Sequence, residues 1–302
     1  MIAMRQYRSS RQHRRNLGVG LLFISPWIVG FLAFTVYPIL YSLKLSFERY
    51  SGFQPPVSLG TQNYTRLFGD DLFWQSLYNT LYYTILAVPL GIVVAILLAL
   101  AMNRHVREVS LYRAALYLPS ILPVFALSFI FLVLLNPKLG LISNVLTLVG
   151  LPPTNYLADP AGAKIAIVVL AQLGAGNAAL IFLAGLRGIP VTLYEAARMD
   201  GAGPARSFFS VTLPLLTPVI LYNLITGLGG GLQVFTQAYI LTQGGPNNAT
   251  LFYVYYLYNN AFRYAQLGYA SAMALVLFAI SLVLAFILFA ASRRFVNYEL
   301  VS

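Results

Sequence analysis

Six stretches of this chain are predominantly apolar for about 20 residues or more, and their length decides what the chain can fold into. A helix rises about 1.5 Å per residue, so about 20 residues cross a hydrocarbon core of about 30 Å. The stretches run over 17–41, 77–102, 114–135, 165–186, 213–241 and 269–291. Inside hydrocarbon every backbone N–H and C=O must find a partner within the protein. Continuous apolar runs meet that demand as helices, whereas barrel strands would alternate in short segments. The expected class is an all-α polytopic membrane protein with six transmembrane helices. Composition agrees: 59% of the 302 residues are hydrophobic and only 9% charged, against about 25% charged in a soluble domain. Disorder, which needs low hydrophobicity and dense charge, is excluded.

The net charge of +11 raises a nucleic-acid surface as an alternative. The positions of the arginines remove it. Arg5, Arg8, Arg11, Arg14 and Arg15 precede the first apolar run, and the positive-inside rule keeps such a segment in the cytoplasm. Six crossings return the C-terminus to the same side. Arg104, Arg107 and Arg113, then Arg187, Arg198 and Arg206, and finally Arg293 and Arg294 all fall in segments assigned to the cytoplasm. Lys44, Arg49, Arg66, Lys138, Lys164 and Arg263 fall outside or near the outer ends. The basic excess is an orientation signal divided among short segments. The first run, with Pro26 and Pro38 and no small-residue cleavage pattern, reads as a retained span and not a signal peptide.

The chain has no cysteine, which removes disulfides, thiolate metal sites and thiol nucleophiles. Its two histidines, His13 and His105, lie in basic segments, and no metal centre is expected. None of its three lysines follows glycine as a phosphate-cradling P-loop requires. The spans so drawn contain essentially no ionisable group, which argues against ion coupling and intramembrane hydrolysis. Their polar residues are neutral: Gln172 and Asn177 in the fourth, and Asn223, Thr226, Gln233, Thr236 and Gln237 in the fifth. Such a set suits an uncharged, hydroxyl-rich solute, and Gln172, Asn177, Asn223, Thr226, Gln233 and Gln237 are the candidate pathway residues. Helix–helix hydrogen bonding is the competing reading. Gly227 and Gly229–Gly231 mark either an unwound segment or close helix packing. Tyr253, Tyr255, Tyr256, Tyr258, Tyr264 and Tyr269 read as an interfacial belt or, alternatively, as sugar-stacking rings.

Between the fourth and fifth runs, Thr192 followed three residues later by Glu195 has the form of a capping box. Gly201 and Gly203 supply a stop and Pro204 a new start. The expectation is two short helices separated by a break. Ala196, Ala197, Gly201 and Ala202 give the first helix small residues that let another surface approach, as in docking into a partner's groove.

Glu195-Ala196-Ala197, Asp200-Gly201-Ala202, Phe208 and Leu213-Pro214 at these spacings resemble the EAA loop of permease subunits in bacterial binding-protein-dependent ABC importers. Further patterns resemble the carbohydrate, MalF-like branch. They are Tyr37–Ser42 with Ser46-Phe47, Asn63-Tyr64, Asn79-Thr80-Leu81, Leu241–Pro246 and Gly268–Ala272. The resemblance implies a type I ABC importer permease fold with a cytoplasmic EAA coupling loop. Residues 1–16 would form a cytoplasmic basic segment, 17–292 the permease domain with its coupling loop at 187–212, and 293–302 a cytoplasmic tail. It also implies a second, unlike permease subunit, two ATPase subunits carrying ATP and Mg, an extracytoplasmic solute-binding protein, a sugar substrate and a place in the bacterial inner membrane. This chain itself would bind no cofactor and catalyse nothing. Glu195, Ala196, Ala197, Asp200, Gly201 and Ala202 would meet the ATPase. A permease for another polar solute, such as a glycerol phosphate, and a secondary facilitator are the alternatives.

Overall fold

The computed structural model describes residues 10–103, 109–148, 150 and 155–292. Arg5, Arg8, Arg104, His105, Arg107, Arg293, Arg294 and the 293–302 tail lie outside the described residues, as do the side chains of Arg11, His13, Arg14 and Arg15. Among the described residues, five helices are long and apolar enough to span a membrane: Asn16–Leu45, Asp71–Met102, Pro160–Gly188, Thr217–Leu241 and Leu267–Ser292. They are the first, second, fourth, fifth and sixth spans.

The third span departs from the expectation of one straight helix. It consists of Ser110–Ile121 and Val124–Leu134, bent by 92° at Leu122-Pro123. Pro123 has no N–H to continue the ladder, its backbone sits at φ −58 and ψ 141, and the residue before a proline is driven out of the α region. With inner and outer named by the orientation the arginines imply, the first arm meets the inner half of the fourth span and the second its outer half.

The second span, 32 residues long and therefore about 48 Å, is the axis of the fold. Three buried clusters are strung along it. The outer cluster gathers Phe73, Leu232, Tyr253 and Met273. The middle one gathers Tyr83, Ala87, Phe131 and Ile167, and the inner one Ala95, Ala99, Met102, Phe182 and Leu216. The first span stands apart: none of its most apolar window is buried, and it leans on the sixth through Tyr37–Leu45. A π turn at Leu32–Val36 precedes Pro38, where the missing N–H makes a register slip inexpensive.

The glycine run of the fifth span is helical, and two glycines there, Gly227 and Gly231, are packed against the second span. A Cβ on Gly227 would stand 2.9 Å from Val88 Cγ1, and one on Gly231 2.8 Å from Thr84 Cγ2. Both glycines thus let the second and fifth spans approach closely. The helix breaks later, at Gln233, before Thr236–Leu241 begins. The fourth span starts earlier than the apolar run suggests. Asp159 caps it by accepting from the Gly162 N–H at 2.7 Å, with Pro160 as its first residue. Lys164 therefore lies a turn inside the helix, and Lys44 and Asp71 also fall within terminal turns of spans.

Candidate functional site: a neutral cavity and an exposed loop helix

A cavity of about 620 Å³ opens beside the second span, between the middle and inner clusters. Gln172, Asn177, Asn223, Thr226 and Gln237 all line it, so five of the six expected pathway residues are brought together. Gln233 is not among them. It is the exposed residue at which the fifth span breaks. Among the described residues, no lysine, arginine, aspartate or glutamate lines the cavity.

Local irregularities build this wall. The fourth span tightens to a 3₁₀ turn at Leu173–Ala175, opposite the bend in the third. Ser120 bolts the two breaks together: its hydroxyl donates to Leu173 O at 3.1 Å and accepts from the Gly176 N–H at 2.8 Å. Tyr117 donates its hydroxyl to Asn177 Oδ1 at 2.8 Å. Helix–helix bonding is therefore the role of one face of Asn177. Gln172, Asn223 and Thr226 instead turn back on their own helices. Gln172 Nε2 donates to Val168 O at 2.7 Å, Asn223 Nδ2 to Val219 O at 2.8 Å and Thr226 Oγ1 to Tyr222 O at 2.9 Å. A longer bond of 3.4 Å ties Gln172 Nε2 to Ala87 O. Ser120 and Gly91, which complete the wall, escaped the sequence reading because a serine between prolines and a glycine in an apolar run carry no distinctive pattern.

Between the fourth and fifth spans, the first loop helix is Val191–Met199. Its N-cap is Pro190, with no side-chain cap, so the expected capping box of Thr192 and Glu195 does not form. Pro190 starts the helix two residues too early for Thr192 to occupy the cap. The other end follows expectation. Gly201 has φ +76, the Gly201 N–H donates to Arg198 O at 3.0 Å and the Ala202 N–H to Ala197 O at 2.8 Å, a Schellman closure. Glu195, Ala196, Asp200 and Gly201 are exposed, and Ala197 and Ala202 half-buried. Leu193 and Tyr194 face inward onto the inner cluster, and the Tyr194 hydroxyl pairs with Thr212 Oγ1 at 2.9 Å. The helix is thus held from behind while Val191 (69% exposed) and Met199 (89% exposed) project outward. No residue of it is buried.

The outer face is knitted by the remaining patterned residues, which meet one another. Asn79 Nδ2 donates to Asn248 O at 2.9 Å and Leu251 O at 3.2 Å, and Thr80 Oγ1 accepts from the Tyr253 N–H at 2.8 Å. These bonds hold the loop that carries Leu241–Pro246. Asn63 Nδ2 donates to Ser46 O at 2.8 Å, and Tyr64 donates to Ser46 Oγ at 2.8 Å. Gly268 lets the sixth span approach the Glu48 backbone, where no Cβ would fit. Asp70 caps the second span through the Leu72 N–H at 3.0 Å and accepts the hydroxyls of Tyr256 at 2.6 Å and Tyr269 at 2.7 Å. Burial alone would raise the Asp70 pKa, but these bonds to the charged form outweigh it and hold the carboxyl below its ordinary value. Burial first, and then Asp70, push Tyr256 up to about 12. The tyrosines are consequently neither a belt nor stacking platforms: Tyr253, Tyr255, Tyr256 and Tyr269 are buried, and only Tyr264 is largely exposed among the six.

Residues 77–297 match the family described as binding-protein-dependent transport system inner membrane component. The chain belongs to this family. It is a permease subunit, a multi-pass membrane protein and a transport component rather than an enzyme, and its family works with a binding protein. It is 40% identical over 296 residues to the probable ABC transporter permease protein YesP of Bacillus subtilis, covering 97% of this chain and 96% of that one. It is 36% identical over 282 residues to the lactose transport system permease protein LacF of Rhizobium radiobacter, covering 91% and 94%. A solved bacterial ABC transporter that imports the acidic polysaccharide alginate superimposes with a TM-score of 0.81 at 24% identity, covering 95% of this chain and 99% of that one. The fold is that of a type I ABC importer permease.

Proposed function

We propose that this permease passes a sugar or oligosaccharide from an extracytoplasmic binding protein into the cytoplasm, driven by ATP hydrolysed on other subunits. The observation that carries the reading is the convergence of five neutral polar side chains on one cavity without a charged group. Relatives named for lactose and for arabinooligosaccharides support it. The protein sits in the bacterial cytoplasmic membrane with the 1–16 segment and the 293–302 tail in the cytoplasm. A second, unlike permease subunit completes the pore. Two ATPase subunits bind ATP and Mg, which this chain does not hold. The loop 187–212 is the coupling segment. Helix Val191–Met199 and its cap, through Glu195, Ala196, Ala197, Asp200, Gly201 and Ala202, seat in a cleft of one ATPase. Closure of the ATPases would press this helix toward its counterpart and turn the cavity outward. The exposure of the helix, combined with its firm backing through Tyr194, supports that role.

The test is reconstituted uptake. Transport is expected to require ATP, the ATPase subunits and the binding protein, and the imported solute is expected to stabilise that binding protein thermally. Uptake in liposomes holding this chain without ATP or ATPases would make it a facilitator instead. A permease for glycerol phosphate is disfavoured, because no lysine or arginine among the described residues lines the cavity.

A further inference from the structure

A second pocket, of about 450 Å³, lies behind the loop helix. Gly201 turns the chain in the left-handed region and Pro204 restarts it, so the loop helix and segment 204–212 enclose this space together with the inner ends of the second and fourth spans. Leu100, Leu186 and Phe208 supply apolar lining, and Asn103, Ser207 and Arg198 supply polar lining. Arg198 is exposed. Among the described residues the one ion pair is that of Lys44 with Glu48, so no described carboxylate neutralises Arg198. A second guanidinium stands beside the pocket: Arg113 Nε donates to Met102 O at 2.8 Å, one residue from Asn103. Arg187 and Arg206 adjoin the lining residues Leu186 and Ser207 in sequence. The loop 187–212 holds three arginines against Glu195 and Asp200, and is therefore net basic.

Depth identifies the occupant. The second span has 32 residues and is about 48 Å long, so when centred on a hydrocarbon core of about 30 Å it overhangs by about 9 Å at each end. The fourth span has 29 residues and overhangs by about 7 Å. The headgroup layer on each side of the core is about 5–8 Å thick. Leu100, Asn103 and Leu186, in the last turns of these helices, therefore lie at headgroup depth. The anion that a membrane supplies there is a phospholipid phosphate, and a guanidinium fork matches it. We propose that this pocket binds the headgroup of an anionic phospholipid, with Arg198 as the counter-ion of its phosphate and Leu186 and Phe208 against the first methylenes of its chains. The loop helix keeps another face for a protein partner: Glu195 and Met199 stand one turn apart on the outward face, and Tyr194 and Arg198 one turn apart on the adjoining face. The bound lipid stiffens the flank of the loop helix. This inference goes beyond the proposed function and does not depend on which solute is carried.

The assembled transporter in neutral detergent tests this by titration with dioleoyl-phosphatidylglycerol or dioleoyl-phosphatidylcholine, with bound lipid counted by native mass spectrometry. The wild type is expected to retain phosphatidylglycerol in preference to phosphatidylcholine. Arg198→Gln is expected to weaken phosphatidylglycerol binding about tenfold, the loss of one hydrogen bond to a charged group. Arg198→Lys keeps the charge without the fork and is expected to weaken it less. Arg263→Gln removes an equal charge from an exposed position on the outer side and is expected to change nothing. Amide hydrogen exchange in 191–202 is expected to slow when phosphatidylglycerol is added to the wild type and not to Arg198→Gln, which locates the lipid at this pocket. Equal retention of the two lipids, or an Arg198→Gln variant that behaves as Arg263→Gln does, would overturn the proposal. Protection of 191–202 by free glycerol 3-phosphate equal to that by phosphatidylglycerol would make the ligand a soluble phosphate and overturn the lipid assignment. Loss of the ATPase subunits from Arg198→Gln with lipid retention unchanged would assign the arginine to the protein partner and overturn it as well.

Discussion

Replacing Gly231 by alanine tests whether the approach of the second and fifth spans shapes the cavity. The new Cβ would sit 2.8 Å from Thr84 Cγ2, 3.0 Å from Thr84 Oγ1 and 3.2 Å from Thr84 Cβ. Thr84 is buried and fixed by its bond to Thr80 O at 2.7 Å, so the side chain cannot swing away without losing that bond. Overpacking of this kind costs about 1–3 kcal/mol. Better helix propensity returns up to about 1 kcal/mol, leaving a net loss of roughly 0–2 kcal/mol. Gly229 supplies the control, since nothing lies within 4 Å of its Cβ position. Gly229→Ala receives the propensity gain without the clash, so the two variants should differ by about 1–3 kcal/mol. Thr84→Ser removes the nearest methyl, and combined with Gly231→Ala it should recover about 1 kcal/mol as a coupling energy. Thermal or denaturant unfolding of the purified protein in detergent, on all four variants, gives the measurement. Equal stabilities for Gly231→Ala and Gly229→Ala, or strict additivity with Thr84→Ser, would refute the close-approach argument.

Other expectations follow from the same geometry. Gly201→Asp places a side chain at φ +76 with open space around it, a local cost of about 1–2 kcal/mol. The assembled complex should survive in co-purification, but ATP-driven uptake should fall to background, and normal uptake would remove the coupling role. Ser120→Ala leaves the Gly176 N–H and Leu173 O without their partner and should destabilise by about 1–3 kcal/mol in the same unfolding assay; an unchanged stability would show that the two helix breaks are not bolted there. Asp70 has its carboxyl pKa held below the ordinary 3.8. Its contribution to stability is therefore complete above that value and lost as pH falls through the depressed one. Asp70→Asn should flatten the acid limb of a melting-temperature profile, and an unchanged limb would count against the cluster.

The class of fold was legible because apolar runs long enough to span a bilayer leave few alternatives. The neutral lining of the cavity was legible for a related reason: a glutamine or asparagine in such a run must find a partner or a cavity. What escaped was geometry beyond the local pattern. Gln233 looks equivalent to Gln237 in sequence, yet the helix ends at the first and resumes before the second. The tyrosines of 253–269 look like a belt because composition does not say which way a ring faces. Their burial depends on the second span bringing Phe73 and Asp70 from far along the chain. The capping box of Thr192 failed by two residues, since Pro190 already supplied the turn into the helix. The 92° bend at Pro123 was not read from the apolar run, and it lies beside the fourth-span break to which Ser120 is bonded.

The placement of the cavity between two clusters has a mechanical consequence. Toward the outside, Asp70, Asn79 and Asn63 lash the loops and span ends into a stiff cap. Toward the inside, the loop helix is braced on the inner cluster. Between them lie the void, a helix already bent and a helix already tightened to a 3₁₀ turn. A beam with two rigid ends yields at its waist, so a load applied at Val191–Met199 would be spent in deforming the walls that surround the solute.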